Sequence, residues 1–253
     1  MTWLLALLLL VAAPVSARET VVAGISQNRI SITANFDGSE ILIFGAVKRE
    51  APVPETAKPL DVLIEVTGPS KPVIVRRKER KLGIWVNAIS VKVDLAPSYY
   101  ALASSGPLNE VISETNRQRY KIGLDKAIRL VGEARAGVIP RDFSDALVRL
   151  RERDGLYSEV KAKVDISEET LFRTSIKLPS NLVEGDYKAR LFILRGKQVI
   201  DVRATDIAVR KVGLERFIYS LAHERPLAYG LLSLAVALIA GYGASEAFRL
   251  LRR

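Results

Sequence analysis

Very little in this chain can make or break a covalent bond. It has one histidine, no cysteine and one methionine, Met1, so a processed chain would hold no sulfur at all. Without cysteine there is neither a disulfide framework nor thiolate chemistry. His223 stands in Leu221–Pro226 (LAHERP), beside a long apolar run, and no Gly-x-Ser-x-Gly elbow offers it an activated serine. No His-Glu-x-x-His pair, calcium loop, phosphate-cradling glycine loop or dinucleotide fingerprint is present. Carboxylates such as Glu168 and Glu169 fall at turns, where a paired acid and base cannot be placed. The expectation is a protein with no catalytic residue, no metal and no cofactor. A hydrolase with an unrecognised site is the enzymatic alternative.

Two groups of residues suggest binding instead. Ser233, Ala237, Gly241 and Ser245 recur every fourth position, with Ala240 and Ala244 beside them. Small side chains on one helical stripe let a second membrane helix approach closely. The second group is aromatic and basic: Trp85, Tyr99 and Tyr100 with Arg76, Arg77 and Lys78. Its plain reading is core aromatics near a solvated charge run. Its sharper reading is a groove that receives a partner loop or an anionic ligand.

The elements that must hold these residues are mostly strands. Arg29–Phe36 alternates Ile30, Ile32 and Ala34 with polar residues, and Asp37-Gly38 then predicts a hairpin into Glu40–Lys48. Ala51–Pro59 has three prolines and reads as a loop. Leu60–Gly68, Val73–Glu79 and Ile84–Leu95 continue as strands, with Arg76–Lys78 on an exposed edge or loop. Ala96–Gly155 breaks the pattern. Pro107 opens a short helix, Leu124–Val131 offers another turn or two, and Ile139–Asp154 is the clearest helix, with Phe143, Leu147 and Leu150 on one face. Strands return at Glu159–Ile166, Leu171–Leu178, Lys188–Leu194 and Gln198–Arg210. The Leu178-Pro179 corner before Gly185-Asp186-Tyr187 predicts a tyrosine bonding back to the corner backbone. The fold expected is mainly β: an immunoglobulin-like sandwich over residues 18–215, with a helical insertion at about 96–158, plus one C-terminal transmembrane helix. Two separate outer domains are the alternative.

Both ends of the chain point to a membrane. Pro226–Ala244 has no charged side chain and lies between Arg225 and a tail with Glu246, Arg249, Arg252 and Arg253. At about 1.5 Å per residue such a run spans roughly the 30 Å of a hydrocarbon core. Residues 1–17 have the short apolar core and small-residue exit of a signal peptide, ending Val15-Ser16-Ala17. The order expected is leader 1–17, outer domain 18–215, juxtamembrane segment 216–225, span 226–245 and cytoplasmic tail 246–253. The basic tail stays inside, giving a single-pass protein with its N-terminal domain in the periplasm. The formal net charge is +10; the tail carries +2 of it, leaving +8 on the outer part. That surface favours acidic head groups, anionic polymers or small anions. Nucleic acid is excluded by compartment and by the lack of a stacking platform among the basic residues.

Phe44–Glu50 (FGAVKRE), a strand ending Thr67-Gly68-Pro69, Val75–Arg80 (VRRKER), Gly83–Asn87 (GIWVN) and Ala96–Leu108 (APSYYALASSGPL), framed by a leader and one C-terminal span, resemble a family of alphaproteobacterial transmembrane proteins. The likeness runs over nearly the whole chain and transfers no catalytic residue. Members encoded beside sulfite-exporter-like permeases imply an accessory role in anion export. The function expected is therefore a non-enzymatic inner-membrane accessory protein that pairs, through its span, with itself or with a polytopic partner such as an anion permease. An envelope-assembly or protein-binding module is the alternative.

Overall fold

A computed structural model describes residues 19–33, 35–49, 58–130 and 139–251. The expected leader, most of the Ala51–Pro59 loop, Ala34, and Arg252 and Arg253 of the tail lie outside the described residues. The chain divides into two compact units: the described residues up to Ile30 together with Asp37–Val209, and the described residues of Ser31–Phe36 together with those from Arg210 onward.

The strands form three sheets. One has four strands in the order β1 (Glu19–Ile25), β3 (Ser39–Arg49), β11 (Leu171–Leu178), β10 (Asp165–Ser167). The second has six, in the order β2 (Arg29–Ile32), β13 (Gln198–Lys211), β12 (Gly185–Arg195), β4 (Leu60–Thr67), β7 (Tyr100–Ser104), β9 (Tyr157–Lys163). The third joins β5 (Ser70–Lys81), β6 (Ile84–Pro97) and β8 (Arg129–Leu130).

Alternation decides what each sheet buries. Along β3 and β11, Ile41, Ile43, Phe172, Thr174 and Ile176 fall on one face by register and are buried. That face meets the six-stranded sheet: Thr174 donates to the Lys163 carbonyl at 2.9 Å, and the Val21 amide donates to Asp201 at 2.9 Å. On β4 both faces are closed. Val62, Ile64 and Val66 share one side with Tyr187, Ala189 and Leu191 of β12, and Leu63 and Glu65 share the other with Arg190 and Phe192. A strand covered on both faces reads as a continuous apolar run, which is how Leu60–Thr67 reads. Each fully buried Leu, Ile or Phe here contributes roughly 1.5–3 kcal/mol.

Helices cover part of the molecule. Three short ones, α1 (Leu108–Val111), α2 (Glu114–Tyr120) and α3 (Leu124–Ala127), follow β7, and α4 (Pro140–Arg153) precedes β9. Helix α2 starts at Ser113, whose hydroxyl accepts from the Asn116 amide, and ends at Lys121 in the left-handed region. Asn116 then donates to the Lys197 carbonyl at 3.0 Å, fixing α2 to the β12–β13 turn. Helix α4 starts with a proline at its tolerated first position and buries Phe143 and Leu147, while Leu150 stays exposed.

Two expectations need correction. The predicted hairpin across Asp37-Gly38 does not form: β2 lies beside β13, whereas β3 is taken up on both sides by β1 and β11, so the chain changes sheets there. Strand β1 falls in the Arg18–Pro97 stretch that reads as strands, where no bounds separate it from its neighbours. The stretch expected to be helical from residue 96 contains β7, which pairs with β4 and, in parallel, with β9. Its sequence, Tyr100-Ala101-Leu102-Ala103-Ser104, is buried throughout and so shows no alternation. The expected tyrosine corner is present as a bond: Tyr187 donates to the Val183 carbonyl at 2.8 Å. Gly68 passes over that ring, where a Cβ would come within 2.9 Å of it.

The second unit carries α5 (Leu214–Glu224) and α6 (Pro226–Leu251). The α6 helix has 26 residues, about 39 Å at the usual helical rise. Mainly β with one C-terminal apolar helix is thus the fold of this chain.

Candidate interaction surfaces

The aromatic and basic residues singled out above do not form one groove. Tyr99 and Tyr100 are 1 % and 0 % exposed. The Tyr99 hydroxyl donates to the Lys177 carbonyl at 2.8 Å, and its ring lies 6.0 Å from that of Tyr187. Both tyrosines are therefore core residues at the start of β7: Tyr99 reaches across to β11, and Tyr100 bonds within its own sheet and to the loop after α2. Burial raises both phenols above their ordinary pKa, and for Tyr100 the Glu65 charge adds to the effect.

Tyr100 belongs to a buried polar cluster that sequence reasoning missed. Glu65 is fully buried on β4 and accepts from the Tyr100 hydroxyl at 2.9 Å and from Arg190 Nε at 2.6 Å. A second Arg190 nitrogen also pairs with the same carboxylate. Arg190 in turn donates to the Tyr120 carbonyl at 2.9 Å, and Tyr100 accepts from the Gly123 amide at 2.8 Å. The last turn of α2 leaves carbonyls without helical partners, and Arg190 satisfies one of them. Burial pushes the Glu65 carboxyl up, against the opposing pull of Arg190 and Tyr100. The arrangement fastens the short helices to the sheet. Its one signal in the sequence was a glutamate inside an apolar strand.

Trp85 stays with Arg76, Arg77 and Lys78, on the long β5–β6 hairpin. The register sets Arg80 opposite Trp85 and Lys81 opposite Ile84, closed by a two-residue turn at Leu82-Gly83. Both turn residues have positive φ, 51° and 85°, as a type I′ turn requires. Nearer the base, Val75, Val93 and Ala96 pack with Phe143 and Leu147 of α4. From Arg76 to Ala88 no side chain is buried.

A second open surface is the outer face of the four-stranded sheet. Val22, Leu42, Phe44 and Leu171 are exposed there, and a shallow hollow of about 720 Å³ runs between Val22, Phe44, Leu171 and Arg173. Gly24 makes room for it: a Cβ would stand 3.1 Å from the Phe44 ring.

In the second unit, Pro226–Ser245 is long and apolar enough to cross a membrane, with a mean hydropathy of 1.8 and none of it buried within the chain. Ser233, Ala237, Gly241 and Ser245 lie along it at four-residue spacing, one stripe of the helix. A family profile described as "Putative transmembrane protein (Alph_Pro_TM)" matches residues 20–250. The chain belongs to this family. A search of curated proteins found no match. The family name agrees with one membrane span at the C-terminal end; it assigns no partner and no reaction.

The candidate span, Pro226–Ser245, begins just after His223. That ring stacks on Tyr219 at 4.0 Å, and Nδ1 lies 2.9 Å from the Tyr219 carbonyl, so its contacts are with its own helix. Among the described residues no group of three His, Cys, Asp or Glu side chains could hold a metal ion.

Proposed function

We propose that this chain is a non-enzymatic accessory protein, anchored once in the inner membrane with its β domain in the periplasm, that docks on a polytopic membrane protein. An anion permease of the sulfite type is the partner that its basic outer part suits, through the +8 of formal charge outside the span and tail. The observation that carries the reading is α6. Its apolar length is buried by none of the described residues, and its stripe of Ser233, Ala237, Gly241 and Ser245 has the small side chains that close membrane-helix packing needs. At Gly241 a Cβ would meet nothing within 4 Å, so Gly241→Leu leaves the chain's own packing untouched. Full-length protein purified from native membranes in mild detergent should carry a transporter identifiable by mass spectrometry, and Gly241→Leu should deplete it severalfold. An undiminished yield would sink the docking.

The apolar outer face of the four-stranded sheet favours a second reading, an envelope-assembly module that holds a protein client. Phe44→Asp in the full-length chain should then remove soluble periplasmic proteins from the purification and leave membrane proteins in place.

A further inference from the structure

The outer half of the β5–β6 hairpin has a composition that its own fold does not require. Arg76, Arg77, Lys78, Arg80 and Lys81 stand there against one carboxylate, Glu79, which pairs with Arg77 at 3.2 Å. Strand alternation sets Arg76, Lys78 and Arg80 on one face and directs Ile84 and Val86 to the other. Helix α4 covers that second face only near the base, around Val75 and Val93. Charge on the edge strand β5 could serve merely to block pairing between sheets. That reason does not extend to Leu82, Ile84 and Trp85, which leave 105 %, 65 % and 67 % of their surface exposed at the tip.

Leu82 is the telling residue. It occupies the first turn position at φ 51°, a left-handed conformation that glycine, asparagine or aspartate adopts far more easily than leucine. A fully exposed apolar side chain in an unfavourable backbone conformation serves neither folding nor solubility. Strain of this kind points to function when it is observed rather than assumed.

We propose that this hairpin is a second membrane contact: its tip, Leu82 with Ile84 and Trp85, enters the head-group region of an anionic phospholipid bilayer, while the cations behind it bind lipid phosphates. Tryptophan and leucine at the interface with lysine and arginine behind them is the usual composition of such contacts. Each basic residue near an anionic surface strengthens binding roughly fivefold. The same chain carries a helix long and apolar enough to cross a bilayer, so the hairpin is tethered to a membrane. The proposal depends on that span alone and is independent of the permease reading.

Trp3→Phe leaves Trp85 as the sole tryptophan. The full-length chain carrying that change would be placed in nanodiscs of phosphatidylcholine, with or without about a third phosphatidylglycerol. With the anionic lipid, Trp85 emission should shift to the blue and be quenched by acyl chains brominated near the head group. Roughly 0.5 M salt should reverse most of this, since the screening length then falls to a few ångströms. Arg76→Glu/Lys78→Glu/Arg80→Glu should reduce the quenching at least tenfold, and so should Leu82→Asn, which suits the turn better and so cannot act by unfolding it. Equal, unquenched emission in both lipids would overturn the proposal. So would a photocrosslinker at position 85 that in native membranes captures a protein and no lipid.

Discussion

Two clusters in this molecule combine arginine with aromatic rings, and they do opposite things with them. Around Glu65, Tyr100 and Arg190 the carboxylate is enclosed, the guanidinium is half-buried against it, and each partner has a named bond. At the β5–β6 tip, Arg76, Lys78 and Trp85 face solvent and the turn itself is strained. The difference is one of dielectric. A charge taken out of water must be paired or it costs the fold several kcal/mol, whereas an exposed cation costs the fold almost nothing and stays available to a partner. The buried cluster is a fastening and the exposed one is a surface.

The largest expected effect comes from deleting Arg190, the half-buried cation that pairs with buried Glu65. Arg190→Ala would leave the buried Glu65 with the Tyr100 hydroxyl as its remaining partner, push its carboxyl further toward the protonated form and release the end of α2, destabilising the chain by about 3–5 kcal/mol. Arg77→Ala on the hairpin should change stability by less than about 0.5 kcal/mol, since exposed ion pairs contribute little. Urea unfolding of the full-length chain in mild detergent measures both. Equal losses would break the distinction between fastening and surface.

Tyr100→Phe should cost less, about 1–3 kcal/mol, because it removes one donor to Glu65 and one acceptor for the Gly123 amide while keeping the ring. Its effect should shrink in an Arg190→Ala background, as expected of residues sharing one network.

The two buried glutamates should also respond to pH in opposite directions. Glu65 has its carboxyl raised by burial, so it contributes most below the ordinary value of 4.5, and that contribution is lost as pH rises through its folded value. Glu19 on β1 is also pushed up by burial, but Arg195 at 2.8 Å and Arg49 at 3.1 Å outweigh this and lower it. Its contribution is present above 4.5 and is lost as pH falls through its folded value. Melting temperatures between pH 3 and 7 should therefore fall less on acidification in Glu19→Gln than in the parent, and fall more in Glu65→Gln. Identical profiles for both variants would refute the assignment.

What was legible in the sequence follows from where alternation and length speak clearly. The span was legible because a bilayer sets a length and forbids charge, and Pro226–Ser245 satisfies both. Helix α4 and the return hairpin at Gly196-Lys197 carried capping and turn residues at their ends. Strand β7 was hidden because burial on both faces erases the period, and β3 was assigned the wrong partner because a turn dipeptide says nothing of which sheet follows it. The joining of Tyr99 and Tyr100 to Trp85 failed for a geometric reason. Residues a dozen positions apart on a long strand are separated by about 40 Å when extended, so sequence proximity put a hairpin tip and a core into one group.

An effect of opposite sign tests the hairpin from the other side. Leu82→Asn replaces a leucine at φ 51° with a residue at ease there, so the purified chain should gain about 1 kcal/mol in the absence of lipid. Arg190→Ala and Tyr100→Phe lose stability, and this change alone gains it. A gain that accompanies lost contact with anionic bilayers would mean that the chain keeps Leu82 for the membrane at a cost to its own fold. No change in stability would mean that the turn tolerates leucine without strain, and the tip would then rest on exposure and charge alone.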